Sequence, residues 1–280
     1  MSPAVPRYAV IGNPVAHSQS PWIHAEFARL TGQAINYERI EAPLTEFAST
    51  VRQFANEMAS GCNITVPFKF EAAALASTLT ERARMAGAVN TLRFDGTVWV
   101  GDNTDGAGLV RDIEENADTP IKGLRVLLLG AGGAAAGVLA PLLAAGPAEL
   151  VLANRSREKA DKLLANHKDV CGPVKVAVRS LNDCGSGFDV LINATSSSLS
   201  GQAQIVDSRV LAPGALALDM MYGPKAQGFL DWARTAKAHP RDGLGMLVEQ
   251  AAEAFSFWRG VRPPTAAVLS ALRARLGLLS

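Results

Sequence analysis

The sequence predicts an α/β protein of two domains, and three observations carry that expectation. Strand-like and helix-like segments alternate through the first hundred residues, the alternation restarts at residue 124 with a glycine-rich turn at 130–135, and two long apolar-faced helical segments close the chain at 243–260 and 265–279. Alternation of this kind builds a mostly parallel sheet with helices on its faces. The predicted boundaries are 1–105 for the first domain, completed by the C-terminal helices at about 245–280, and 106–244 for the second.

Each element has a local reason. RYAVIG, 7–12, is a strand ending at glycine, and PWIHAEFARLTG, 21–32, is a helix opened by Pro21 and stopped by Gly32. INYERIEA reads as a strand, LTEFASTVRQFANEM as a helix, GCNITV as a strand and FKFEAAALASTLTERARMAG as mainly helix. VNTLRFDGTVWVGDNTD is a hairpin with Asp95-Gly96 as its turn, leading into the helix GAGLVRDIEEN. RVLLLG, ELVLAN, VKVAV, DVLINAT and ALALDMMY are the strands of the second sheet.

In VLLLGAGGAAAG, 126–137, the apolar run suits a strand buried on both faces, and the residues after it fit GxGxxA. Gly130 makes the tight turn, Gly132 lets the backbone approach a pyrophosphate, and Ala135 allows close helix packing. The alternative is a plain tight strand–helix turn. About 20 residues beyond the glycines, where dinucleotide choice is made, stand Asn154, Arg155 and Ser156, with Lys159 one turn on. An acid there would repel a 2′-phosphate, whereas a guanidinium pairs with it, so a Rossmann-like domain binding NADP is expected. A solvated basic helix start is the competing explanation.

The composition, 48% apolar and 19% charged over 280 residues, suits a soluble globular chain. Lys and Arg number 27 against 26 acids with no basic block, so neither nucleic acid nor a membrane surface is an expected partner; a small polar metabolite is. The N-terminal stretch lacks a signal-peptide core and no apolar run approaches about 18 residues, which points to the cytoplasm. Cys62, Cys171 and Cys184 lack CxxC spacing and the four histidines lack HExxH spacing, so neither disulfides nor a metal are expected. An apolar helix face can fill a core or a dimer seam, leaving monomer and homodimer both open.

Several polar residues are candidates for chemistry. Ser18 and Ser20, spaced by two before a helix, can point their hydroxyls at one carboxylate, or Ser20 can simply cap the helix. Lys69 follows a strand that Pro67 terminates, facing an expected cleft between the domains, where a dehydrated ammonium can exchange a proton with a substrate hydroxyl; a lone surface lysine is the plain alternative. Asp105, between glycines in GDNTDGAG, can orient that lysine and hold the hydroxyl, while Asp102 suits a turn or cap. Asn90 and Thr91 can bond ring hydroxyls or serve turn chemistry, and Gln250 would be a buried amide in need of a partner.

HSQSP, NITVPFK, AVNTL, DNTDGAG, GAGGAA, NRSREKA, INATSSSL, DMMYGP and DGLGMLVEQAA occur in the order and spacing of the shikimate dehydrogenases, a family the chain resembles over essentially its whole length. The resemblance implies reversible NADPH-dependent reduction of 3-dehydroshikimate to shikimate in chorismate and aromatic amino acid biosynthesis, hydride passing between nicotinamide C4 and substrate C3. Lys69 and Asp105 match the family's catalytic pair, Lys69 being the proton donor and acceptor; Ser18, Ser20 and Tyr222 match carboxylate contacts, and Thr65, Asn90 and Gln250 ring-hydroxyl contacts. Gly130, Ala131, Gly132, Gly133, Ala134, Asn154, Arg155, Ser156, Lys159, Met220 and Gly243 match cofactor positions, and Glu81 a weaker one. Three departures stand out: Ala25 where asparagine is usual, Ser156 where threonine is common, and Gln227 in place of a frequent threonine. None removes a catalytic group, so they bear on turnover and selectivity. Competing functions are a quinate/shikimate dehydrogenase with broader substrate and cofactor use, a non-catalytic NADPH-binding regulator, which would lack Lys69 or Asp105, and a two-domain dehydrogenase acting on folates or amino acids.

Overall fold

Apolar runs of four to six residues separated by amphipathic stretches leave strand–helix alternation as the way to bury both, and the computed structural model, which describes residues 4–195, 197 and 206–278, has that alternation over most of its length. The chain divides into two compact units, Met1–Gly108 with Val248–Leu272, and Leu109–Leu247 with Arg273–Ser280.

The first unit contains β1 (Arg7–Gly12), α1 (Ser20–Thr31), β2 (Asn36–Glu41), α2 (Phe47–Asn56), β3 (Gly61–Ile64), α3 (Lys69–Leu75), β4 (Thr78–Leu79), α4 (Glu81–Ala86), β5 (Thr91–Asp95) and β6 (Val98–Asp102). Its six-stranded sheet runs β2-β1-β3-β5-β6-β4. β1 pairs in parallel with β2 and β3, as β4 does with β6, while β5 is antiparallel to both β3 and β6. Both faces are covered. Ala9, Ile11, Cys62, Ile64 and Leu92 pack with Phe47, Phe54 and Phe68 on one side. The alternate residues of the same strands face the other side, where Tyr8 stacks on Trp258 at 4.5 Å and Tyr37 on His24 at 4.3 Å. Gly61 makes room there, since a Cβ on it would lie 2.7 Å from the Trp258 indole nitrogen.

The second unit takes up α5 (Asp105–Arg111) from Leu109 onward, then a single π-helical turn, Asp112–Asn116. It continues with β7 (Arg125–Leu129), α6 (Gly133–Ala144), β8 (Glu149–Ala153), α7 (Arg157–Ala165), β9 (Lys175–Arg179), β10 (Phe188–Asn193), β11 (Leu211–Asp219), α8 (Gln227–Thr235) and β12 (His239–Arg241). The six strands are all parallel, in the order β9-β8-β7-β10-β11-β12. This is the doubly wound dinucleotide-fold order, reversing between β7 and β10. Val126 and Leu128 enter one core and Leu127 and Leu129 the other, so β7 is apolar at every position after Arg125. α9 (Leu244–Arg259) and α10 (Ala266–Arg275) follow.

Several expectations need correction. The unit boundaries shift from those read off the sequence: residues 106–108 group with the first unit, because Gly108 lies so close to α9 that a Cβ would meet the Gln250 backbone at 2.5 Å. Residues 245–247 and the chain from Arg273 group with the second, where Gly245 abuts the Asp112 carboxylate and Arg273 pairs with Asp242 at 2.7 Å. Segment 68–87 is mainly helix, as expected, but in two pieces: Ala76 turns extended, Ser77 and Thr80 bond to β6, and Thr80 caps α4. The hairpin turn is Gly96-Thr97, with Gly96 at φ 64°, and Asp95 pairs with Val98 inside the ladder. β12 was not among the expected strands; at three residues it is too short to show a period. Of INATSSSL, 192–199, only Ser197 beyond Thr195 falls within the described residues.

Candidate active site

Pro67 has no N–H to offer a ladder, and β3 ends at Ile64; Lys69 then opens α3 rather than closing a strand. Its Nζ donates to Asp105 Oδ2 at 2.5 Å, with the lysine side chain 19% exposed and the aspartate 7%. Asp105 is the first residue of α5, and its N–H bonds the Asn103 side chain. The other carboxylate oxygen, Oδ1, accepts from Asn90 Nδ2 at 2.8 Å. Asn90 also bonds Thr104 and Gln250. The site thus gathers Lys69, Asn90, Asp105 and Gln250 inside one unit. Gln250 is half-buried and already partnered by Asn90 and Thr104, not the orphan amide expected. Gly108 admits the backbone of α9. Asp102 is more than a turn residue. It is 1% exposed and receives Thr80, the Asn103 N–H and a two-pronged Arg82 guanidinium.

In the serine loop, Ser20 does not take the helix-capping role that was its plain alternative. The residue capping α1 is Gln19; Ser18 Oγ lies 3.1 Å from Ser20 Oγ and accepts the Ser20 N–H at 3.3 Å. Arg39 of β2 clamps this loop by donating twice to the Ser18 carbonyl, at 2.6 and 3.0 Å. Two hydroxyls therefore sit side by side at the N-terminus of a 12-residue helix, a combination suited to a carboxylate. Thr65, half-buried after β3, has no recorded partner for its hydroxyl among the described residues.

The second unit carries the glycine turn. Gly130 sits at φ 110°, where an L side chain is strained, and a Cβ there would also meet the Ala194 carbonyl at 2.9 Å. A Cβ on Gly132, which caps α6, would meet nothing within 4 Å. Backbone N–H groups at the start of a 12-residue helix thus border open space, which fits a pyrophosphate. Ala131, Gly133 and Ala134 complete that helix start. After β8, Asn154 bonds the Ser156 carbonyl and Ser156 caps α7 by accepting from the Lys159 N–H. Ser156 therefore does serve the helix start, while Arg155 and Lys159 are exposed and neither is paired with an acid among the described residues. Gly243 packs directly on the Met220 backbone and bonds Met221. Tyr222, also in this unit, has its phenol pushed up by burial. Glu81 stands apart: it is an exposed acid in the first turn of α4, in the other unit from the remaining cofactor candidates.

Three residues escaped the sequence reading. Tyr37, Asn63 and Thr104 join the hydrogen bonds behind Asp105. The available signal was Asn63, an amide in the middle of a strand buried at every position, which demands partners.

A dinucleotide fold in one unit and a lysine–carboxylate pair in the other mark the class, a two-unit α/β oxidoreductase. Three family models match the chain: the shikimate dehydrogenase substrate binding domain over 10–92, shikimate / quinate 5-dehydrogenase over 112–209, and the shikimate 5′-dehydrogenase C-terminal domain over 243–273. Shikimate dehydrogenase (NADP(+)) of Methylibium petroleiphilum is 60% identical over 276 residues, covering 96% of this chain and 94% of its own. An Ael1 enzyme from Pseudomonas putida superposes with a TM-score of 0.86 at 46% identity, over 95% of this chain and 98% of that one. Shikimate 5-dehydrogenase of Thermus thermophilus, in complex with NADP(H) and shikimate, superposes at 0.84 and 30% identity, over 97% and 100%. The chain belongs to the shikimate dehydrogenase family.

Proposed function

We propose that the chain catalyses the reversible NADPH-dependent reduction of 3-dehydroshikimate to shikimate in the cytoplasm, with Lys69 and Asp105 as its catalytic pair. The observation that carries this is the 2.5 Å Lys69–Asp105 contact, in which a partly exposed ammonium is held by a nearly buried carboxylate. NADPH supplies the hydride. Lys69 donates a proton to the C3 oxygen as the carbonyl becomes an alcohol, and takes it back in the oxidative direction. Asp105 keeps the ammonium aimed and, with Asn90 and Gln250, bonds ring hydroxyls; Ser18, Ser20 and Tyr222 take the carboxylate and Thr65 a further hydroxyl. Gly130 to Ala134 cradle the pyrophosphate, Asn154 to Lys159 the adenosine end with Arg155 on the 2′-phosphate, and Met220 and Gly243 border the nicotinamide side.

The test is the initial rate of cofactor reduction with shikimate and with quinate, each against NADP⁺ and NAD⁺. Turnover confined to shikimate and NADP⁺ is expected. Quinate is retained as a second substrate because the model matching 112–209 is that of shikimate / quinate dehydrogenases, and comparable quinate turnover would favour that broader enzyme. No turnover in any combination would overturn the proposal.

A further inference from the structure

The polar residues on the α1 side of the first sheet form a chain whose direction the main chain dictates. Asn63 Nδ2 lies 3.2 Å from the Asn90 carbonyl, a group that can only accept, so the other end of that amide, Oδ1, must face Tyr37 Oη at 2.7 Å and receive its proton. Asn63 Nδ2 also donates to Thr91 Oγ1 at 3.0 Å, which leaves the Thr91 hydroxyl hydrogen for Asn90 Oδ1 at 2.9 Å. The backbone N–H of Thr104 donates to that same Asn90 Oδ1 at 2.9 Å, fixing the polarity of the second amide independently. Asn90 Nδ2 is then the end that donates to Asp105 Oδ1 at 2.8 Å, with Thr104 Oγ1 and Gln250 Oε1 also within its reach. The side-chain donors Tyr37 Oη, Asn63 Nδ2, Thr91 Oγ1 and Asn90 Nδ2 thus run in series from β2 to the carboxylate that holds Lys69. Asn63, Asn90, Thr91 and Thr104 are at most 6% exposed, so water does not readily substitute for a missing member.

We infer that Tyr37 and Thr91 are positioning residues for the Lys69–Asp105 pair, acting through the amides of Asn63 and Asn90 and touching neither substrate nor cofactor. The inference rests on the pair having the role proposed above. Without the Tyr37 hydroxyl, Asn63 Oδ1 is left without its donor and the amide can turn from Thr91. Without the Thr91 hydroxyl, Asn90 loses one of the donors that hold it, one link nearer Asp105. Loss at Thr91 should therefore cost more than loss at Tyr37.

Tyr37→Phe, Thr91→Val, Thr91→Ser, the Tyr37→Phe/Thr91→Val double variant and Lys69→Ala are compared by steady-state kinetics with shikimate and NADP⁺ across pH, alongside melting temperature. Given the usual worth of one buried hydrogen bond, kcat should fall about tenfold in Thr91→Val and about threefold in Tyr37→Phe, with a displaced pH–kcat profile and an unchanged KM for NADP⁺. Thr91→Ser should restore both, and the double variant should be no slower than Thr91→Val, as members of one chain require. Lowered melting temperatures with wild-type kcat and pH profile in Tyr37→Phe and Thr91→Val would overturn the inference, as would effects that multiply in the double variant. Wild-type kcat in Lys69→Ala would instead overturn the catalytic role of the pair, and the inference with it.

Discussion

The two candidate sites are built by opposite means. Around Asp105 the geometry is set by side chains: hydroxyls and amides from β2, β3, β5 and the segment before α5 hold one carboxylate, and Arg82 braces Asp102 behind them. At the glycine turn the geometry is set by a missing Cβ at Gly130, by the open space beside Gly132 and by main-chain N–H groups. The contrast follows the chemistry each would perform. A proton has to be delivered to one atom, which requires a side chain fixed in direction, whereas a pyrophosphate presents several equivalent oxygens that a helix start can meet with backbone alone.

The sharpest way to break this contrast is to substitute one residue of each kind. Lys69→Met keeps the stem and removes the proton donor, and kcat should drop by about 10³-fold with the KM for NADP⁺ little changed. A parallel loss of cofactor affinity would mean that the two sites are not separable. Gly130→Ala should do the reverse. Backbone strain at φ 110° together with the Ala194 carbonyl should cost about 2 kcal/mol, felt as a roughly 30-fold weaker NADP⁺ affinity or a Tm lower by about 5 °C. Normal binding and melting would show that the turn tolerates a side chain. Smaller still is Arg155→Ala. An exposed cation on a phosphate is worth about a tenfold rise in the KM for NADP⁺, with NAD⁺ unaffected. Equal losses for both dinucleotides would detach Arg155 from the 2′-phosphate.

The same contrast explains what was legible in the sequence. The glycine turn could be read residue by residue because its function is local: Gly130, Gly132 and Ala135 lie within six positions, and the parallel strand β7 is apolar from Val126 to Leu129. Lys69 and Asp105 could be singled out, and the helix that Lys69 opens was legible to within a residue, since the segment from Phe68 has helical composition. The wiring behind Asp105 was not legible. Tyr37 and Asn63 meet only through β1 lying between their strands, and the Thr104 N–H reaches Asn90 across 14 residues. Strand order is a property of the assembled sheet, so a period-two pattern marks the face a residue takes but not its partner there. The break at Ala76 is similar, since the segment 68–87 has helical composition and is interrupted only because β6 is available to pair with β4.

The smallest effect tests the floor of the side-chain site. His24 is fully buried, stacked on Tyr37 at 4.3 Å and edge-on to Phe27, and neither ring nitrogen has a hydrogen-bond partner among the described residues. Burial takes its pKa from 6.5 down to about 3, against a small opposing pull from Asn63. A histidine that titrates lower when folded binds its proton more readily in the unfolded chain, so stability is fully present above pH 6.5 and is lost as the pH falls towards 3. Between pH 6.5 and 5.5 that loss comes to about 1 kcal/mol, or roughly 3 °C in Tm. His24→Phe keeps a ring in the stack and removes the titration, so its melting curve should fall less steeply over that interval while matching or exceeding the wild type at pH 8. Parallel profiles for the two proteins would mean that His24 is not held neutral by burial, and the aromatic floor beneath Tyr37 would then be open to water.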